Sequence, residues 1–114
     1  QSDDGRWHQV IDESDSFLEF TSTCMISYAL LYAVRSGLLE ESQTRPAITR
    51  AWAAIERCIG TDGLTIESAC ESTGKLPNLQ AYLDRKASSG RDDRGGAMAL
   101  IFAESLLRTP PAAG

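Results

Sequence analysis

The chain has a single histidine, no basic stripe, no long apolar run and no cysteines at metal-binding spacing. Each lack removes a class of function. A formal net charge of -5, with 11 Lys and Arg against 16 Asp and Glu, leaves nothing to track a phosphate backbone or an anionic membrane surface. No nucleic acid or membrane partner is expected. The longest apolar run, Ala29 to Val34, falls far short of the roughly 18 residues of a membrane span, so the chain is expected to be soluble. Cys24, Cys58 and Cys70 cannot all pair internally, and no Cys-x-x-Cys step or neighbouring histidine builds a zinc site. Cys24 and Cys58 read as small core hydrophobes, with one disulfide left open. A nucleophilic Cys70 would need a base, and His8 is remote in sequence. No metal and no cofactor are expected. The chain starts at Gln1 without a methionine or a signal-like segment, which reads as a processed end, a nick or an artificial boundary. Localisation is not legible.

What is present is helical. An apolar share of 42% over 114 residues fits one globular domain. The run Glu19 to Ser36 is apolar on nearly every side, with Phe20, Cys24, Met25, Ile26, Tyr28, Leu30, Leu31, Tyr32 and Val34 spread around the wheel. Such a helix is expected to be buried almost all round. Gly37 suits its C′ position, because glycine takes the left-handed conformation without a side-chain clash. Pro46 suits the first turn of a second, amphipathic helix to about Ile59, with Thr44 as its cap and Gly60 as its stop. Trp52 falls on its core face. A third, mostly apolar helix is expected from about Arg94 to Arg108, capped by Asp92 or Asp93, with glycines 95 and 96 permitting close approach.

Between the helices, Asp62 to Ile66 reads as a turn into a short strand, and Asp4 to Val10 repeats that design. These short strands are expected to pair in a loop layer. Glu71 to Gly90 is polar and broken by Gly74, Pro77 and Asn78, so it reads as a long loop with a hint of a helical turn at Leu79, Tyr82 and Leu83. Thr109 to Gly114 reads as a disordered tail. Two nearly all-apolar helices cannot be covered by one amphipathic helix. Periodicity alone therefore requires further cover, from the same polypeptide or from a second copy.

The words Trp7-His8-Gln9-Val10, Leu18-Glu19-Phe20-Thr21-Ser22, Gly37-Leu38-Leu39, Ser72-Thr73-Gly74 and Asp92-Asp93-Arg94-Gly95-Gly96-Ala97 together resemble the C-terminal part of the unsaturated glucuronyl and rhamnogalacturonyl hydrolases, glycoside hydrolase families 88 and 105. The chain departs in having Phe20 between Glu19 and Thr21-Ser22, and Glu71-Ser72 before Thr73-Gly74. The resemblance implies an all-α fold, a segment of an (α/α)6 barrel: about three main helices over 1–108 with short strands in the loops. It also implies a carbohydrate-degrading activity on unsaturated uronyl oligosaccharides, in which water is added across the C4–C5 double bond. That chemistry needs a proton donor and a positioned water, not the usual pair of carboxylates flanking the glycosidic bond. The family's catalytic aspartate and its Arg-Gly-Asn-x-Trp motif have no counterpart here, so no catalytic residue is assigned and the chain alone is expected to be inactive. The partner would be the missing N-terminal part of the barrel or further copies of the chain.

Six residues are candidates for binding substrate. Trp7 and His8 offer an aromatic face and an imidazole at a loop end, or else pack over helix ends and bond to backbone, with Gln9 as a loop brace. Glu19 lies between apolar neighbours that would raise its pKa, or it binds backbone amides in the first helical turn. Thr73 and Lys75, flanking Gly74, can approach a carboxylate, although the same residues make an ordinary polar loop. Asp12, Glu13 and Asp15 read as a solvated acidic loop rather than a catalytic pair. The rival to the enzyme reading is a non-catalytic helical module derived from a truncated barrel and held by self-association.

Overall fold

The computed structural model describes residues 1–72, 74–111 and 113. Strand β1 (Trp7–His8) and strand β2 (Leu18–Glu19) lead directly into helix α1 (Phe20–Arg35), which is followed by α2 (Glu41–Cys58). Strand β3 (Ile66–Ala69), the short helix α3 (Leu79–Leu83), strand β4 (Ser88–Gly90) and helix α4 (Asp93–Arg108) complete the chain. Helix α1 is the centre of the packing, with α2 and α4 against it and β3 touching all three.

The buried residues of α1 are Phe20, Thr23, Cys24, Ser27 and Leu31, three- and four-residue steps that define one face. They meet Ile48, Ala51, Ile55 and Cys58 of α2 and Ala99 and Phe102 of α4. Each fully buried Phe, Leu or Ile contributes about 1.5–3 kcal/mol of transfer free energy. Trp52 sits partly buried at the edge of this core, its ring 5.3 Å from that of Phe102 and nearly perpendicular to it, the edge-to-face arrangement that aromatic quadrupoles favour. At the end of α1 Gly37 takes φ +69°. Its N–H donates to the Val34 carbonyl and that of Leu38 to the Ala33 carbonyl, the paired bonds of a Schellman ending.

The expectation that α1 would be buried on nearly every side is not met within this chain. Helices α2 and α4 cover two of its sides, and Met25, Ala29 and Tyr32 stay exposed, Tyr32 by 55%. Helix α4 likewise leaves Leu100 and Leu107 exposed by 72% and 84%. Helix α2, by contrast, turns Gln43, Thr49, Arg50, Glu56 and Arg57 outward. Among the described residues no helix is long and apolar enough to cross a membrane.

Helix α2 begins at Glu41, so Pro46 does not fall in its first turn as expected, and Thr44 is not its cap. Pro46 sits inside the helix and exposed. The residue before a proline resists the helical region, but tertiary anchors override that preference here. Thr44 is buried and returns its hydroxyl to the Glu40 carbonyl, while Arg45 pairs with Glu41 and donates to the Thr109 carbonyl. Thr109, placed at the head of the expected loose tail, is itself buried and donates its hydroxyl to Ser105.

The expected strands exist but do not pair with each other. β1 pairs antiparallel with β2, Trp7 opposite Glu19, and β3 pairs antiparallel with β4, Ile66 opposite Gly90. The expected loop over Glu71 to Gly90 holds both α3, capped by the Asn78 side chain, and β4. Asp92 caps α4 by accepting from the Gly95 N–H at 2.9 Å. Gly95 is buried, and a Cβ there would meet Ile66 Cδ1 of β3 at 3.3 Å, so what comes close to this glycine is a strand side chain, where a helix was expected.

The N-terminal loop clasps the outer face of α2. The Gln1 side-chain amide donates to the Ala47 carbonyl, Arg50 donates to Gln1, and Arg57 reaches Asp4 at 3.3 Å. Arg6 binds the Asp4 carboxylate at 2.5 Å. That hydrogen bond is the main cause holding the Asp4 carboxyl below its ordinary pKa.

Candidate functional site

The first turns of α1 and α4 converge on one end of the molecule, where Thr21, Asp92, Arg94 and Met98 share a small hollow with Cys70, Glu71 and Ser72. Beside it opens a groove of about 790 Å³. One wall is Gln9, Val10 and Ile11, following β1. The floor is Glu19, Thr21, Ser22 and Met25 with Met98, and the far wall is Cys70, Asn78, Leu79 and Tyr82. The surfaces are mainly apolar, with an amide, hydroxyls and a thiol at intervals. That combination suits a ring with one apolar face and hydroxyls at its rim.

Glu19 is 2% exposed. Its Oε1 accepts from the Thr21 N–H and the Cys70 N–H, each at 2.9 Å, its Oε2 accepts from the Ser22 N–H at 2.5 Å, and the Thr21 hydroxyl lies 2.9 Å from both. Every one of these partners donates. The carboxylate thus satisfies orphan amides of the α1 N-terminus, and both oxygens are occupied.

Trp7 is half-buried, packed against the core, with its backbone N–H on Thr23 Oγ1 at 3.0 Å. His8 Nδ1 lies 2.6 Å from the Ser16 carbonyl; a carbonyl only accepts, so Nδ1 carries the proton. Ser16 is buried and its hydroxyl ties the 10–16 turn through Val10 and Glu13. Asp12 and Asp15 ride that turn exposed. Gln9 donates its backbone N–H to the Phe17 carbonyl, and its side-chain Oε1 is buried with no hydrogen-bond partner in the described structure. Of the six candidates, the groove therefore brings together Gln9 and Glu19. Trp7 and His8 stand behind the wall that Gln9 begins, Lys75 is exposed outside the lining, and Thr73 lies outside the described residues.

Val10, Ile11, Met25, Asn78, Leu79, Tyr82 and Met98 were not legible as groove residues. Met25 and Met98 do carry a signal in hindsight, since both lie about one turn into helices whose first turns face the loop layer. Tyr82 braces its own wall, its hydroxyl accepting from the Leu76 N–H at 3.0 Å.

No disulfide joins the three cysteines. Burial, with Glu19 nearby adding to it, pushes the Cys24 thiol up to about 12, and burial raises Cys58 despite the neighbouring Arg6. Among the described residues no group of three or more His, Cys, Asp or Glu is placed to hold a metal ion.

Comparison with known proteins gives this geometry a context. An unsaturated 3S-rhamnoglycuronyl hydrolase from Alteromonas sp. (strain LOR) is 25% identical over 109 residues, which cover 94% of this chain and 25% of the relative. A possible member of the GH105 family from Salmonella enterica superposes with a TM-score of 0.84 at 28% identity, over 95% of this chain and 28% of that one. A glycosyl hydrolase family 88 structure from Bacteroides vulgatus gives 0.72 at 21% identity, over 96% of this chain and 31% of that one, and supports the fold alone. The chain thus spans about a quarter of the length of the curated relative it matches. Residues 1–109 match the family described as Glycosyl Hydrolase Family 88, and with nearly its whole length in that match the chain belongs to this family.

Proposed function

We propose that residues 1–108 form the C-terminal segment of an (α/α)6 glycoside hydrolase that acts on unsaturated uronyl oligosaccharides by adding water across the C4–C5 double bond, and that this segment alone is inactive. The observation that carries the reading is a family match over residues 1–109 in a chain spanning only a quarter of its relative. The groove supports the second half of it. Among its described lining residues Glu19 is the one carboxylate, and its oxygens are filled by backbone and hydroxyl donors. Hydration needs a free acid to deliver a proton, so that acid comes from another part of the barrel.

In this reading the sugar lies in the groove against Met25 and Met98, with Gln9 offering its side-chain amide. Trp7 and His8 hold the β1–β2 ribbon that presents Gln9. Glu19 fixes the floor, and Thr73 and Lys75 are proposed to contact the sugar. The exposed apolar faces of α1 and α4 are the surfaces on which the remaining barrel helices pack.

Those same faces favour a second reading, a non-catalytic module that self-associates. Incubation of the chain with an unsaturated uronyl disaccharide, following the ultraviolet absorbance of its double bond, tests the proposal. No loss of absorbance is expected from the chain alone, and loss is expected when the rest of a family barrel is supplied in the same polypeptide. Turnover by the isolated chain, surviving controls for contaminants, would overturn the inactivity. A purified particle made only of copies of this chain, inactive even when fused to an upstream barrel portion, would favour the module.

A further inference from the structure

Ser68 is the one non-glycine among the described residues with positive φ, at +65°. It lies in β3, where four residues, Ile66 to Ala69, stand opposite three of β4, so the register shifts between the two paired positions. A left-handed serine in a short strand is a strained conformation that persists only where surrounding contacts hold it. The contact here is specific: Ser68 Oγ donates to the Leu18 carbonyl at 2.6 Å, across to β2. Two residues later the Cys70 N–H donates to Glu19 Oε1 at 2.9 Å. Successive residues of β2 therefore grip alternate residues of the strand that becomes the far wall of the groove.

We propose that Ser68 and Glu19 are positioning residues, a two-point latch that sets the far wall of the groove, rooted at Cys70, and so the width of the cleft a ligand meets. The functional sense of the latch rests on reading the groove as a sugar site. Its mechanics do not. The Glu19 carboxylate joins three things at once: the first amides of α1, strand β2, and the residue at which the wall begins. The Ser68 hydroxyl offsets the cost of the left-handed backbone that turns Cys70 toward that carboxylate. Beyond Cys70 the wall is also tied to α4, where Arg94 donates to the Glu71 carbonyl, and is braced through the Leu76 N–H on the Tyr82 hydroxyl and the Ala81 N–H on Asn78.

Amide hydrogen exchange on the full chain, without ligand, tests this. Ser68→Ala keeps the strain and removes the hydroxyl, Ser68→Gly removes both, and Glu19→Gln keeps the volume while replacing one acceptor oxygen by a donor. Loss of a hydrogen bond to the latch is expected to speed exchange at Cys70 and along 74–82 by about tenfold, while amides in the middle of α2 and α4 stay within about twofold. Ser68→Gly is expected to unfold at a denaturant concentration no lower than Ser68→Ala, because glycine relieves the backbone strain. Unchanged exchange at 70–82 in both Ser68 variants would overturn the proposal. So would a uniform rise across all helices, which marks a general structural role. Should Glu19→Gln fail to fold, the Ser68 pair still decides. Local loosening in a protein that carries this segment within a full family barrel yet binds no unsaturated oligosaccharide keeps the latch and removes only the sugar reading.

Discussion

A methyl group at position 5 has nowhere to go. Gly5 has φ +106°, and a Cβ there would lie 2.3 Å from the Arg50 carbonyl oxygen, so Gly5→Ala must either lift the N-terminal clasp off α2 or strain both backbones. A loss of roughly 2–3 kcal/mol is expected from urea unfolding. Cys24 makes a different kind of prediction. Its thiol ionises near 12 in the fold against 9.0 ordinarily, so its neutral form is the one the fold holds. Its contribution is intact below about pH 9 and is lost as pH rises toward 12. At pH 8 Cys24 is therefore held as the unreactive thiol. Alkylation of the native chain followed by peptide mapping is expected to modify Cys70, which is partly exposed, well before Cys24. Single residues also mark the limit of the sequence. That Glu19 would bind first-turn amides was readable from its place before Thr21-Ser22. That it also holds the Cys70 amide, 51 residues on, was not, because no local pattern encodes a long-range partner. Nor does a serine advertise a left-handed backbone.

Among the elements, α4 was the most legible, because a capping aspartate, a glycine pair and an apolar run agree on one start. Removing that start should show it: Asp92→Ala leaves the Gly95 N–H without its acceptor and is expected to cost about 1 kcal/mol in denaturant unfolding. Helix α2 was read about one turn too short at its N-terminus, since Pro46 is a strong local signal while Arg45 reaching Thr109 is a tertiary one. Strands of two or three residues, such as Leu18–Glu19 and Ser88–Gly90, carry no alternation to detect. They are created by what lies across from them.

For the whole molecule, what could be read was the imbalance between apolar helices and available cover. Met25 and Tyr32 on α1 and Leu100, Ile101 and Leu107 on α4 show that imbalance as exposed side chains. Contiguous apolar surface of this kind drives association. The isolated chain is expected to gain mass with concentration in light scattering. The double variant Leu100→Glu, Leu107→Glu, seven residues apart on one face, is expected to suppress that gain. Because neither side chain is in the core, its unfolding free energy should stay within about 0.5 kcal/mol of the parent. The groove was less legible than the fold, for its lining comes from four separate stretches that only the packed α1 and α4 bring together.

The edge-to-face pairing of Trp52 with Phe102 has an optical consequence. Trp52 rides α2 and Phe102 rides α4, while the only other indole, Trp7, belongs to the β1–β2 ribbon behind the groove. Emission from a Trp7→Phe protein therefore reports the closure of one helix on another, and emission from a Trp52→Phe protein reports the ribbon beside the cleft. The two single-tryptophan proteins separate loosening of the scaffold from loosening of the site.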